Sequence, residues 1–132
     1  MKILIVDNDP EVRSFLSDGI GMAAAEVIHI AESGEEALAK AIQMQYDLVT
    51  LDITMSGVTG IDILSVIRGV MPRSVIAIVS GYTEDVAEMA LDHIDLVLAK
   101  PVRVDILQQL VDLTKELVEK REAVRGLAEL QN

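Results

Sequence analysis

Five times along this chain a short apolar run gives way to a longer stretch whose apolar residues recur every three or four positions. That alternation leaves few folds open. Continuous apolar runs suit parallel strands buried on both faces, and the stretches between them suit amphipathic helices packed over those faces. Strands are expected at Lys2–Val6, Val27–Ala31, Asp47–Leu51, Val75–Ser80 and Leu96–Ala99. Val12, Phe15, Leu16 and Ile20 line one face of a first helix. Ala37, Leu38, Ala41 and Ile42 do so for a second, and Leu64, Ile67 and Met71 for a third. Asp9 before Pro10, and Ser33 with Glu36, mark two helix starts by capping chemistry. Thr83 marks a fourth. A fifth helix begins near Arg103 and carries Ile106, Leu110, Leu113 and Leu117, continuing in heptad spacing to Val124 and Leu127 with Lys120 as an interruption. The expected architecture is α/β: a (βα)5 doubly wound, five-stranded parallel sheet with an extended C-terminal helix. Residues 1–120 are expected to form the domain, and 121–132 a helical extension or the start of a linker.

A chain of 132 residues, half of them apolar, has room for one core and no second catalytic domain. It contains no Cys, which excludes disulfides, thiolate nucleophiles and zinc–thiolate sites and is compatible with a reducing compartment. The apolar run after Lys2 ends at Asp7, too early for a signal peptide, and no run reaches membrane-spanning length. Cytoplasmic residence is the expectation. With 22 acidic and 11 basic residues the formal charge is −11, so direct nucleic-acid binding is not expected, whereas cations and cationic partners are favoured.

Four strands end in a polar residue: Asp7, Asp52, Ser80 and Lys100 follow apolar runs. In an open α/β sheet, function sits beyond the carboxyl ends of the strands. Two carboxylates, a hydroxyl and an ammonium gathered there suit phosphoryl transfer, which needs an in-line nucleophile and positive charge around the phosphoryl oxygens. Asp52 is the candidate nucleophile. Asp7, Asp52 and a backbone carbonyl such as that of Thr54 are candidate ligands for Mg2+ or another divalent cation, with Asn8 a weaker candidate. Lys100 and Ser80 are candidates to hold the transferred group.

The ordered set Val6-Asp7-Asn8-Asp9-Pro10, Leu51-Asp52-Ile53-Thr54-Met55-Ser56-Gly57 with Gly60, Ser80-Gly81-Tyr82 and Lys100-Pro101 resembles the receiver domains of response regulators, the CheY-like superfamily, over roughly residues 1 to 120. The resemblance implies a flavodoxin-like strand order 2-1-3-4-5. It also implies a cis Lys100-Pro101 peptide and phosphorylation of Asp52 by a histidine kinase or phosphotransfer protein. Further implications are a downstream protein partner or output domain, and signalling or homodimerisation through the fourth helix, fifth strand and fifth helix or through the C-terminal helix. Such a chain is a two-component phosphoprotein switch, not a metabolic enzyme.

The chain departs from the family pattern at three residues, and its segment between Ser80 and Lys100 reads as slightly short. Asn8 stands where many members have a second acid, Ser56 where a proline is usual, and Val97 where a switching aromatic is common. A pseudo-receiver that binds proteins without phosphate is therefore the second reading. A flavodoxin-like nucleotide or flavin binder fits less well, because Asp7-Asn8-Asp9 repels phosphate without a metal and aromatics are nearly absent. His29 and His93 have no second His or Cys at ligand spacing and read as structural. Glu35-Glu36 and Glu84-Asp85 suit solvated helix starts rather than catalysis.

Overall fold

The computed structural model describes residues 1–21, 27–52, 60–81 and 92–132. Within them the strands are β1 (Lys2–Val6), β2 (Val27–Ala31), β3 (Leu48–Leu51), β4 (Val75–Ser80) and β5 (Leu96–Ala99). The helices are α1 (Pro10–Gly21), α2 (Gly34–Gln43), α3 (Gly60–Val70) and α4 (Val104–Gln131). The fourth helix expected from Thr83 lies outside the described residues, so α4 is the fifth helical stretch of the sequence.

All four strand pairings are parallel, in the order β2-β1-β3-β4-β5. Successive strand residues alternate faces, which explains why the central runs are apolar throughout. Leu4, Val6, Val49, Leu51, Ile76 and Ile78 point to the side that α2 and α3 cover through Ala37, Ala41, Leu64 and Ile67. Ile3, Ile5, Leu48, Ala77 and Val79 point to the other side, where α1 and α4 bring Leu16, Ile20, Leu107 and Val111. The sheet is thus wound on both faces.

Helix starts follow the capping chemistry. The Asp9 carboxylate accepts from Glu11 N at 2.9 Å, and its carbonyl accepts the first helical bond, from Arg13 N. Ser33 Oγ accepts from Glu36 N, but the return arm of this capping box lands one residue early, with Glu36 Oε2 accepting from Glu32 N. At the amino ends of the strands, Arg68 ties three carbonyls and a carboxylate together: His93 O, Ser74 O, Pro72 O and Asp95 Oδ2.

Three expectations need correction. Asp47 is outside β3; its backbone still bonds Lys2 O and Val75 N, and its carboxylate accepts from Lys2 N. Phe15 is 43 % and Ile42 71 % exposed, because the covered stripe on α1 and α2 is narrower than their apolar spacing suggests.

Candidate functional site

Parallel register brings the four chosen residues to one rim. Val6 pairs with Leu51, so Asp7 and Asp52 follow side by side, and the Asp52 amide donates to Val6 O at 3.0 Å. Ser80 pairs with Ala99, so Lys100 follows beside it, and the Lys100 amide donates to Ser80 O at 3.0 Å.

Asp7 and Asp52 are 1 % and 3 % exposed, and Ser80 is fully buried. Lys100 Nζ donates to Asp7 Oδ2 at 3.0 Å and to Asp52 Oδ2 at 3.3 Å. The other Asp7 oxygen accepts from Asp9 N at 2.9 Å, which fixes the loop leaving β1. Partial burial works against the Lys100 charge, but the hydrogen bond to Asp7 and the charges of Asp52 and Asp7 outweigh it and hold the ammonium above the ordinary lysine range. The Lys100-Pro101 peptide is cis.

The pocket therefore holds two buried carboxylates against one ammonium. Among the described residues no three His, Cys, Asp or Glu side chains converge to hold a metal. Asn8 is exposed, Asp9 is spent on its helix cap, and Thr54 lies outside the described residues. Tyr82, Ser56 and Gly57 also lie outside them.

One contributor escapes the sequence reading. Arg13 Nη1 donates to Asp7 O at 2.9 Å and its other nitrogen pairs with Glu32 at 3.4 Å, bracing the β1 end from behind. Its position one turn past the Asp9 cap was the available signal. Beside Lys100 opens a cavity of about 390 Å3 lined by Asp9, Val12, Phe15, Val79, Pro101 and Val102. A larger one, about 510 Å3, lies at the opposite end of the sheet against Tyr46, Arg73, Arg121 and Arg125, away from this chemistry.

His29 and Tyr46 form a structural pair, with Nδ1 2.7 Å from the phenol oxygen. Burial raises the Tyr46 phenol. No helix among the described residues is long and apolar enough to cross a membrane.

Comparison with known proteins agrees with this fold. The sequence profile of the response regulator receiver domain matches residues 3–112. A protein-glutamate methylesterase/protein-glutamine glutaminase of Archaeoglobus fulgidus is 32 % identical over 124 residues, covering 91 % of this chain and 35 % of that protein. The chain spans less than half the length of this and the next curated relatives it matches. Among solved structures, the receiver domain of AraT from Geobacillus stearothermophilus superposes with a TM-score of 0.82 at 29 % identity, covering 92 % of this chain and 97 % of that one. Response regulator TrrA from Thermotoga maritima, solved with Mg2+ and BeF, gives 0.76 at 31 % identity over 86 % of this chain and 97 % of that one. The fold and the profile agree: this chain belongs to the response regulator receiver domain family of two-component signalling.

Proposed function

We propose that this chain is a phosphorylation-controlled switch whose phosphoacceptor is Asp52. The observation that carries the reading is the sharing of Lys100 Nζ between two buried carboxylates, 3.0 Å from Asp7 and 3.3 Å from Asp52. A carboxylate at the strand end beside an ammonium is placed to act as a nucleophile, and the ammonium stands where phosphoryl oxygens would arrive. An Asp52 oxygen bonds to phosphorus as the bond from phosphorus to the donor's imidazole nitrogen breaks. The electron pair leaves with the imidazole of a histidine kinase or phosphotransfer protein, and Asp52 becomes an acyl phosphate. Lys100 then turns part of its donor capacity from Asp52 to the phosphoryl oxygens, and Ser80 donates its hydroxyl to them. The changed rim alters a surface read by a downstream partner or output domain.

The residues fit a small divalent cation: Asp7 and Asp52 are hard oxygen donors, buried side by side and sharing a single ammonium. Asp7, Asp52 and the Thr54 carbonyl would hold magnesium, with Asn8 a minor contributor. When bound, magnesium supplies the charge that offsets repulsion between the carboxylate and the phosphoryl oxygens.

The test is intact-mass measurement after incubation with magnesium and a small acyl phosphate. A gain of one phosphoryl group, lost in Asp52→Asn, supports the reading. No gain in the folded wild-type chain overturns it in favour of a phosphate-independent binding module, the alternative that exposed Asn8 favours.

A further inference from the structure

The face that helix α4 turns to the sheet runs on past the end of the sheet. Leu107, Val111 and Thr114 are buried on it. At about 100° per residue Val118, Arg121 and Arg125 continue the same stripe, all six residues falling within an arc of roughly 80°. The inward face thus changes from apolar to guanidinium as it passes the amino ends of the strands.

There the helix meets the turns that lead into β3 and β4. A cavity of about 510 Å3 opens between them, lined by Tyr46, Pro72 and Val118 and by Arg73, Arg121 and Arg125. A second opening, about 390 Å3, shares the three arginines and adds Lys120. Arg121 Nη1 donates to Arg73 O, which fixes the helix against the turn after α3. Among the described residues none of these four cations is in an ion pair. Two carboxylates also line the cavity, but Asp47 accepts from the Lys2 amide and Glu122 is solvent-exposed. Arg121 and Arg125 are four residues apart on one helix face, a spacing at which like charges repel.

We propose that this cavity binds a nucleoside polyphosphate, with the phosphate oxygens on the arginines and the body of the molecule over the side formed by Tyr46, Pro72 and Val118. Guanidinium forks match phosphate oxygens in pairs, and an anion among them relieves their mutual repulsion. The volume suits a small organic ligand and is far more than inorganic phosphate needs. A long nucleic acid fits less well, because it would meet the field of a chain of formal charge −11, whereas screening leaves a small anion to the charges within about 8 Å. Bound there, the ligand joins α4 to the turns before β3 and β4 and holds the extension of the helix against the domain. The proposal does not rest on the Asp52 chemistry, which lies at the opposite end of the sheet.

The test is calorimetric titration of the full chain with ADP and with GDP in low-salt, magnesium-free buffer, and in parallel with inorganic pyrophosphate and adenosine. At least one of the two nucleotides is expected to bind one to one, more weakly as salt is raised. Pyrophosphate should bind at least tenfold more weakly, and adenosine not at all. Arg73→Gln and Arg125→Gln should each weaken the nucleotide about tenfold, with thermal transitions like that of the wild type. Glu122→Gln should tighten it about threefold. Folded Lys100→Met should bind as the wild type does. Binding of neither nucleotide overturns the proposal. So does pyrophosphate binding as tightly as the nucleotide, or an affinity that survives both arginine variants or is lost in Lys100→Met.

Discussion

Lys100 Nζ reaches Asp7 Oδ2 across 3.0 Å of space and 93 residues of sequence. The same nitrogen serves Asp52, so removing it takes the ammonium from two buried carboxylates at once. Lys100→Met is expected to lower stability by about 2–3 kcal/mol, toward the modest end for a buried pair because the lysine is partly exposed. Asp52→Asn leaves one acid facing one base, so its expected effect is between neutral and about 1 kcal/mol stabilising. Urea denaturation of both variants checks the contrast; a larger loss in Asp52→Asn than in Lys100→Met would contradict it.

The sharing of one ammonium by two carboxylates also predicts linkage to metal. Magnesium should raise the thermal midpoint of the wild-type chain progressively as its concentration passes the dissociation constant, since binding favours the folded state. Asp7→Asn should remove most of that rise. Calorimetric scans at stepped magnesium concentrations measure it.

Because the Lys100 pKa is raised in the fold, its proton is held more tightly folded than unfolded. The stability it contributes is fully present below the unfolded value near 10.5 and is lost as pH climbs through the higher folded value. In chelator, denaturation curves taken upward from pH 8 should show wild type and Lys100→Met converging only at the alkaline end. A gap that closes below pH 9 would be inconsistent with this assignment.

Gly19 and Gly69 should respond oppositely to alanine. A Cβ at Gly19 would come within 2.9 Å of Leu107 Cδ2, and Leu107 is fully buried with little room to yield. Gly19→Ala is expected to destabilise by about 1 kcal/mol despite better helix propensity. At Gly69 nothing lies within 4 Å, so alanine there should stabilise by about 0.5 kcal/mol. Equal shifts in the two melting curves would show that α1 and α4 are not in close approach at this point.

Arg68 joins α3 to the segments that enter β4 and β5. Arg68→Lys loses the fork that reaches several acceptors, so it is expected to cost about 2 kcal/mol, nearly as much as Arg68→Ala. Since the contact is at the far end of the sheet, initial phosphorylation rates of the folded variants should match wild type.

Strand bounds were legible because a residue buried on both sides must be apolar at every step, and four of the five runs match residue for residue. Asp47 was placed one residue too early in β3: its backbone and its carboxylate both bond the neighbouring segments, yet the strand itself begins at Leu48. Helix faces were less legible: spacing marks the direction of burial but not its width, so Phe15 and Ile42 were assigned to a core they only border. The approach of Asp7, Asp52 and Lys100 followed from strand endings alone. Arg13 did not, because it acts through a backbone carbonyl, and any arginine one turn along α1 has the same appearance in sequence.

The continuity of α4 from Leu107 to Gln131 makes it a lever with its short arm clamped on the sheet. A tilt of about 10° at Thr114 sweeps the far tip by roughly 4 Å. Small repacking against α1 is thereby magnified into a displacement on the scale of an atomic contact distance, without any hinge having to bend.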